Sequence, residues 1–167
     1  MPNSLATFSK AFAIGGDLIV NRIGYGAMRL TGQPGNFGPY TDWEEGETLL
    51  RRAVELDVNF IETAEAYGSG FNEELIASAL YPYSSGVIIA TKGGIHKPTP
   101  NNIRADGKPE SLRRSCEASL RRLKVEQIDL YQLHRPDSNV PFVDSVGMLA
   151  TLKGVGARIS MAAVGRV

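Results

Sequence analysis

Short β-rich runs alternate along this chain with stretches of helical period, and that order restricts the fold more than any single residue does. Strand-like runs fall at 22–26, 60–62, 87–92 and 128–134, with a weaker one at 159–164. Four segments between and after them place apolar residues at helical spacing. Such βα units predict a parallel sheet joined by right-handed crossovers, which either closes into a barrel or spreads into an open doubly wound sheet. An open sheet that binds a dinucleotide would normally show G-x-G-x-x-G after its first strand, whereas here that strand runs into G-A-M-R-L-T-G. No P-loop lysine motif is present either.

The first helix is announced by Thr41-Asp42-Trp43-Glu44, which has the form of a capping box. It should end near Asp57, with Leu49, Ala53 and Leu56 on one face and Leu50 and Val54 beside them. The second, over 72–80, sets Leu75 and Ile76 with Ala79 and Leu80 and stops before Pro82. The third, over 109–123, carries the stripe Leu112, Cys116, Leu120 and Leu123, flanked by Arg113, Arg114, Arg121 and Arg122, which read as a solvated rim. The fourth, over 141–153, holds Val143, Val146 and Leu149, with Gly154 and Gly156 as a stop. The Pro/Asn/Gly-rich stretch 93–107 reads as a loop.

The chain's 167 residues, 43% hydrophobic, can bury one substantial core, so a single domain over 1–167 is expected. Eighteen basic and eighteen acidic side chains cancel, which argues against nucleic acid and against an anionic membrane surface as partners. The opening twenty residues break their apolar run at Gly15-Gly16-Asp17 and predict a small hairpin, not a signal peptide or a membrane span. Cys116 is the sole cysteine, so no internal disulfide or cysteine zinc cluster can form. A reducing compartment, the cytoplasm, is the simplest expectation.

The ionisable residues fall in a telling place. Glu62 ends the second strand, Tyr67 follows in the next loop, Lys92 ends the third strand and His134 ends the fourth. In a parallel sheet these positions share one rim, and α/β folds build their sites there. Each residue alone has a bland reading as a solvated strand end, a packing tyrosine, a snorkelling lysine or a satisfied core histidine. Together they suit proton donation to a carbonyl oxygen while hydride arrives at its carbon. Tyrosine would be the acid, and a neighbouring lysine would stabilise its phenolate and depress its pKa. A carboxylate would then balance the buried lysine, and histidine would orient the substrate oxygen.

These residues resemble the aldo-keto reductase superfamily. The stretches that carry the resemblance are R-I-G-Y-G-A-M-R-L at 22–30, F-I-E-T-A-E-A-Y-G at 60–68, I-I-A-T-K at 88–92, S-L-R-R-S-C-E-A-S-L-R-R-L at 111–123 and I-D-L-Y-Q-L-H-R-P-D at 128–137. The resemblance implies a (β/α)8 barrel of the TIM type, NADPH-linked reduction of an aldehyde or ketone, and a catalytic tetrad. Carried over, Tyr67 becomes the proton donor, Lys92 the residue that tunes it, His134 the one that orients the carbonyl, and Glu62 the partner of the lysine. Gly26, Met28 and Arg29 match a segment near the cofactor, with Glu62 adjoining it. Gly93, Gly94 and His96 read as loop elements near the rim, His96 being solvated. The segment A-L-Y-P-Y-S at 79–84 is similar to a bacterial branch that includes pyridoxal reductases.

Two departures bear on these expectations. Glu62 stands where the family usually has aspartate, lengthening the carboxylate arm by roughly 1.5 Å. A complete barrel takes about 250 residues, against 167 here. The expected architecture is therefore an incomplete barrel of about five parallel strands and four helices behind an N-terminal hairpin. At 158–167 the family's Ser-Asn pair is replaced near Gly165-Arg166, and because the resemblance places most adenosine-phosphate contacts on loops of the later barrel half, weak or absent NADPH binding is an expected consequence. Open sheet edges would invite self-association. Two function classes follow: an NADPH-dependent carbonyl reductase acting on a small molecule, and a truncated, inactive or association-only relative of such enzymes.

Overall fold

The computed structural model describes residues 10–153. The chain opens with the expected hairpin, β1 (Ala11–Ile14) antiparallel to β2 (Leu18–Asn21), with Ala11 opposite Asn21 and Ile14 opposite Leu18. Its turn places Gly15 at φ 65° and Gly16 at φ 92°, a region that side chains with a Cβ rarely enter. The strand expected at 22–26 is reduced to β3 (Tyr25–Gly26), followed by a 3-10 turn, Ala27–Arg29.

Helix α1 (Trp43–Glu55) starts one residue later than a Thr41 cap would set it. Asp42 is the cap, and its Oδ1 accepts from the Glu45 backbone N–H at 2.9 Å. The buried face of α1 is Gly46, Leu50 and Ala53, while Leu49 and Leu56 lie exposed. Tertiary packing thus selects the flank of the apolar stripe that meets α2. Next come β4 (Phe60–Glu62), a tight turn at Tyr67–Gly70, and α2 (Phe71–Leu80).

Strand β5 (Ile88–Gly93) leads into a second hairpin, β6 (Ile95–Thr99) against β7 (Asn102–Ala105). The stretch read as a loop is therefore an ordered antiparallel pair. Lys97 anchors it, donating from Nζ to the carbonyls of Gly35 and Asn36. Helix α3 (Pro109–Leu123) has the expected bounds and buries Leu112, Cys116 and Leu123. It leads to β8 (Leu130–Leu133), shorter than expected, and to α4 (Phe142–Leu152), which buries Leu149 and Leu152 but leaves Val143 in solvent. The weak strand expected at 159–164 lies outside the described residues.

The central sheet is parallel, in the order β3-β4-β5-β8. Its register sets Gly26 beside Glu62, Glu62 beside Ala90, and Lys92 beside Gln132. Side-chain alternation divides the strands between two cores. Ile61, Ile89, Tyr131 and Leu133 face the helices and pack with Leu75, Ile76, Leu112 and Leu149. Ile88, Ala90 and Leu130, with Phe60, face the other way and pack on Leu18 and Val20 of the hairpin. The hairpin thus covers the start of the inner face. Two residues further along each strand, the same face presents Glu62, Lys92 and Gln132 at the far rim. Parallel βα units with helices outside and a floor below are the architecture of part of a TIM-type (β/α) barrel.

Gly93 must be glycine for packing reasons. A Cβ there would stand 2.0 Å from the Tyr131 hydroxyl oxygen, so nothing larger lets β5 and β8 pair at this point.

Candidate active site

The four ionisable residues singled out on the strand ends meet at one point. Lys92 is 4% exposed, and its ammonium reaches three groups. It donates to the Thr63 carbonyl at 2.9 Å and to the Tyr67 hydroxyl at 3.0 Å, and it contacts Oε1 of Glu62 directly. Its nitrogen also stands 4.6 Å from the centre of the Tyr67 ring. The longer arm of Glu62 therefore reaches the lysine. His134 follows β8, its backbone N–H donating to the Gly93 carbonyl at 2.8 Å. Its ring meets the Tyr67 ring edge to face, with centroids 5.6 Å apart.

Local structure delivers each group. Strand alternation aims Glu62 and Lys92 inward, and their neighbours Thr63 and Thr91 are wholly buried. Tyr67 is brought over Lys92 by a turn in which Gly68, Ser69 and Gly70 all take positive φ. A Cβ on Gly68 would stand 2.6 Å from the Gly38 carbonyl, so the loop 31–38 closes tightly against this turn. Asn72 locks the arrangement from below. Its amide donates to the carbonyls of Ala27 and Leu30 and accepts from the Thr63 hydroxyl at 2.6 Å.

Burial dominates the electrostatics. It lowers the Lys92 ammonium to about 8, while the adjoining Glu62 carboxylate favours the charged form. It also raises the Tyr67 phenol above its ordinary value, which corrects the expected depression by lysine. The phenolate loses more from desolvation than it gains from an ammonium that is itself buried. Burial, with the charges of Lys92 and Arg135, holds His134 down to about 4, so its imidazole is neutral at pH 7. Nδ1 of that ring is buried with no hydrogen-bond partner among the described residues.

The residues expected near a cofactor sit beside this cluster. Gly26 is exposed and lies in register with Glu62, and a Cβ added there would fall 3.5 Å from Oε2. Met28 and Arg29 follow, both exposed, in the 3-10 turn. His96 is exposed on β6 and belongs to no part of the cluster. A separate cleft of about 420 Å³, lined by Glu65, Ser69, His96, Arg114 and Arg121 among others, contains none of the four site residues. The A-L-Y-P-Y-S segment joins the end of α2 to the start of β5, on the opposite rim, where Tyr83 donates to the Leu123 carbonyl at 2.8 Å.

Spacing alone did not mark Asn72, Glu73 or Arg122, which bond to the segments that carry the site. Glu73 is completely buried, accepting from Thr91 and from Arg122, each at 2.6 Å. Arg122 thus leaves the solvated rim assigned to it. The one hint in sequence is that Asn72-Glu73 opens a helix of otherwise apolar character. Among the described residues no group of three or more His, Cys, Asp or Glu could hold a metal ion, and no helix is long and apolar enough to cross a membrane.

The chain matches the Aldo/keto reductase family over residues 22–160. It is 48% identical over 141 residues to an uncharacterised oxidoreductase of Schizosaccharomyces pombe, covering 84% of this chain and 45% of that protein. It is 38% identical over 125 residues to the pyridoxine 4-dehydrogenase of Escherichia coli, covering 75% and 43%. Its fold superposes on an aldo-keto reductase of Bacillus halodurans in its holo form, with a TM-score of 0.79 at 28% identity, covering 93% of this chain and 50% of the other. A glycerol dehydrogenase of Gluconobacter oxydans gives a TM-score of 0.77 at 29% identity, covering 92% and 48%. The chain spans about half the length of these relatives, or less.

Proposed function

Because this chain belongs to the aldo/keto reductase family, we propose that its rim site reduces the carbonyl of an aldehyde or ketone to an alcohol, with NADPH as cofactor and Tyr67 as proton donor. The observation that carries this reading is the seat of the Lys92 ammonium between the Glu62 carboxylate and the Tyr67 hydroxyl, with His134 against the same phenol.

Burial keeps the phenol protonated at neutral pH, so a proton is held at Tyr67 Oη ready for the substrate oxygen. As that proton leaves, the ammonium 3.0 Å away stabilises the phenolate left behind. Glu62 keeps Lys92 charged in a buried place. Neutral His134 is suited to donate one N–H to the carbonyl oxygen, with the unpartnered Nδ1 as the bare nitrogen.

The rim fits a nicotinamide nucleotide. Gly26 puts no side chain beside Glu62, leaving room for a flat ring, and the exposed Arg29 offers a cation to phosphate. NADPH, when bound, supplies the hydride. One relative, from Escherichia coli, is named a pyridoxine 4-dehydrogenase, and the aldehyde that corresponds to pyridoxine, pyridoxal, is therefore a candidate substrate. The 79–84 segment, on the opposite rim, adds no contact to it. NADPH oxidation with a panel of aldehydes, including pyridoxal and glyceraldehyde, tests the reading. Turnover no greater than that of Tyr67→Phe would sink it.

A further inference from the structure

The cluster around Arg122 touches both sides of the turn that carries Tyr67. Ahead of the tyrosine, Nη2 of Arg122 stands 3.5 Å from Oε1 of Glu65, whose other oxygen accepts from Ser115. Behind it, Nε of Arg122 donates to Glu73 at 2.6 Å. Gly70 lies directly on the guanidinium, since a Cβ there would fall 2.8 Å from Nε and 2.9 Å from Cδ. Glu73 in turn accepts from Thr91, the residue before Lys92 on β5, and the Glu65 backbone N–H donates to the Lys92 carbonyl at 3.1 Å.

The structure assigns Arg122 a positioning role: its planar fork, holding Glu65 and Glu73 at once beneath Gly70, fixes the turn of Tyr67 over Lys92. This assignment rests on the carbonyl-reduction reading of the rim. Arg122 reaches no reacting atom; it acts through the two carboxylates. A guanidinium bridges two acids through a rigid planar fork, whereas an ammonium carries rotatable donors on a flexible stem and imposes no such geometry. A displacement of about 1 Å at a reacting group can cost about a hundredfold in rate.

Two variants of the full chain separate positioning from simple stability. Arg122→Lys keeps the charge and loses the fork. The pair Glu73→Gln with Arg122→Met removes both charges, so no ion is left buried alone. Where circular dichroism shows them folded, kcat should fall at least about tenfold in each, with KM for the aldehyde within about twofold. The Tyr67 ring signals in NMR, identified by their absence from Tyr67→Phe, should shift in both variants. Wild-type kcat in either folded variant, or a Tyr67 signal that stays in place, overturns the assignment. If the wild-type chain itself shows no turnover, the reductase reading fails, and the Tyr67 signal alone still decides whether Arg122 sets the turn.

Discussion

Two carboxylate–cation pairs flank the Tyr67 turn, and they differ in what surrounds them. At the rim, Glu62 keeps 27% of its side chain exposed beside a Lys92 that is 4% exposed. Beneath the turn the proportions reverse, with Glu73 at 0% and Arg122 at 20%. Burial weakens the lysine's hold on its proton, drawing it to about 8. It also works to lower Arg122, but the carboxylates of Glu73 and Glu65 outweigh it and hold the guanidinium above its ordinary value. On the proposed reaction, the pair that answers a reacting phenol uses the more titratable cation. A pair that only holds geometry uses the cation that stays charged.

The contrast is tested most severely at the rim. Lys92→Met should cut NADPH-dependent turnover by about 10²–10⁴-fold, read from steady-state kinetics, because the phenolate loses its cation. Its urea unfolding should move little, since Glu62 can turn to water. Glu73→Gln should do the opposite to stability, lowering it by about 2 kcal/mol in urea, because the buried hydrogen bond to Arg122 loses its charged acceptor while Glu65 still balances the guanidinium.

His134 supplies a third, unpaired case. With its folded value near 4 and the unfolded one about 6.5, the unfolded chain binds more protons across that interval. Stability present above pH 6.5 should therefore be lost as pH falls towards 4, by at most about 3 kcal/mol, and the slope should flatten in His134→Gln. The smallest effect is expected at the solvated pair Glu47–Arg51 on α1. Arg51→Ala should change stability by no more than about 0.5 kcal/mol in the same urea assay.

Much of this site was legible in the sequence. Glu62, Lys92 and His134 stand at the ends of parallel strands, and parallel strands put their ends on one rim whatever the details of packing. The second hairpin was harder to read, because Pro98, Pro100 and Asn101 mark turns without showing that the flanking residues pair. On α1 the apolar stripe was wide enough to allow either flank inward, and contact with α2 chose Leu50 over Leu49. On α3 four arginines share one composition, yet among the described residues only Arg122 meets two acids.

By itself the sequence determined the order of βα units, the rim that would bear the ionisable groups, and the family to which the chain belongs. The first two follow from spacing along the chain, which is local, and the family follows from the match over residues 22–160. Only the tertiary structure decided that Glu62 reaches Lys92, that burial raises Tyr67 instead of lysine lowering it, and that Arg122 turns inward under Gly70. Desolvation and contact depend on what other segments pack nearby, and those partners lie tens of residues away.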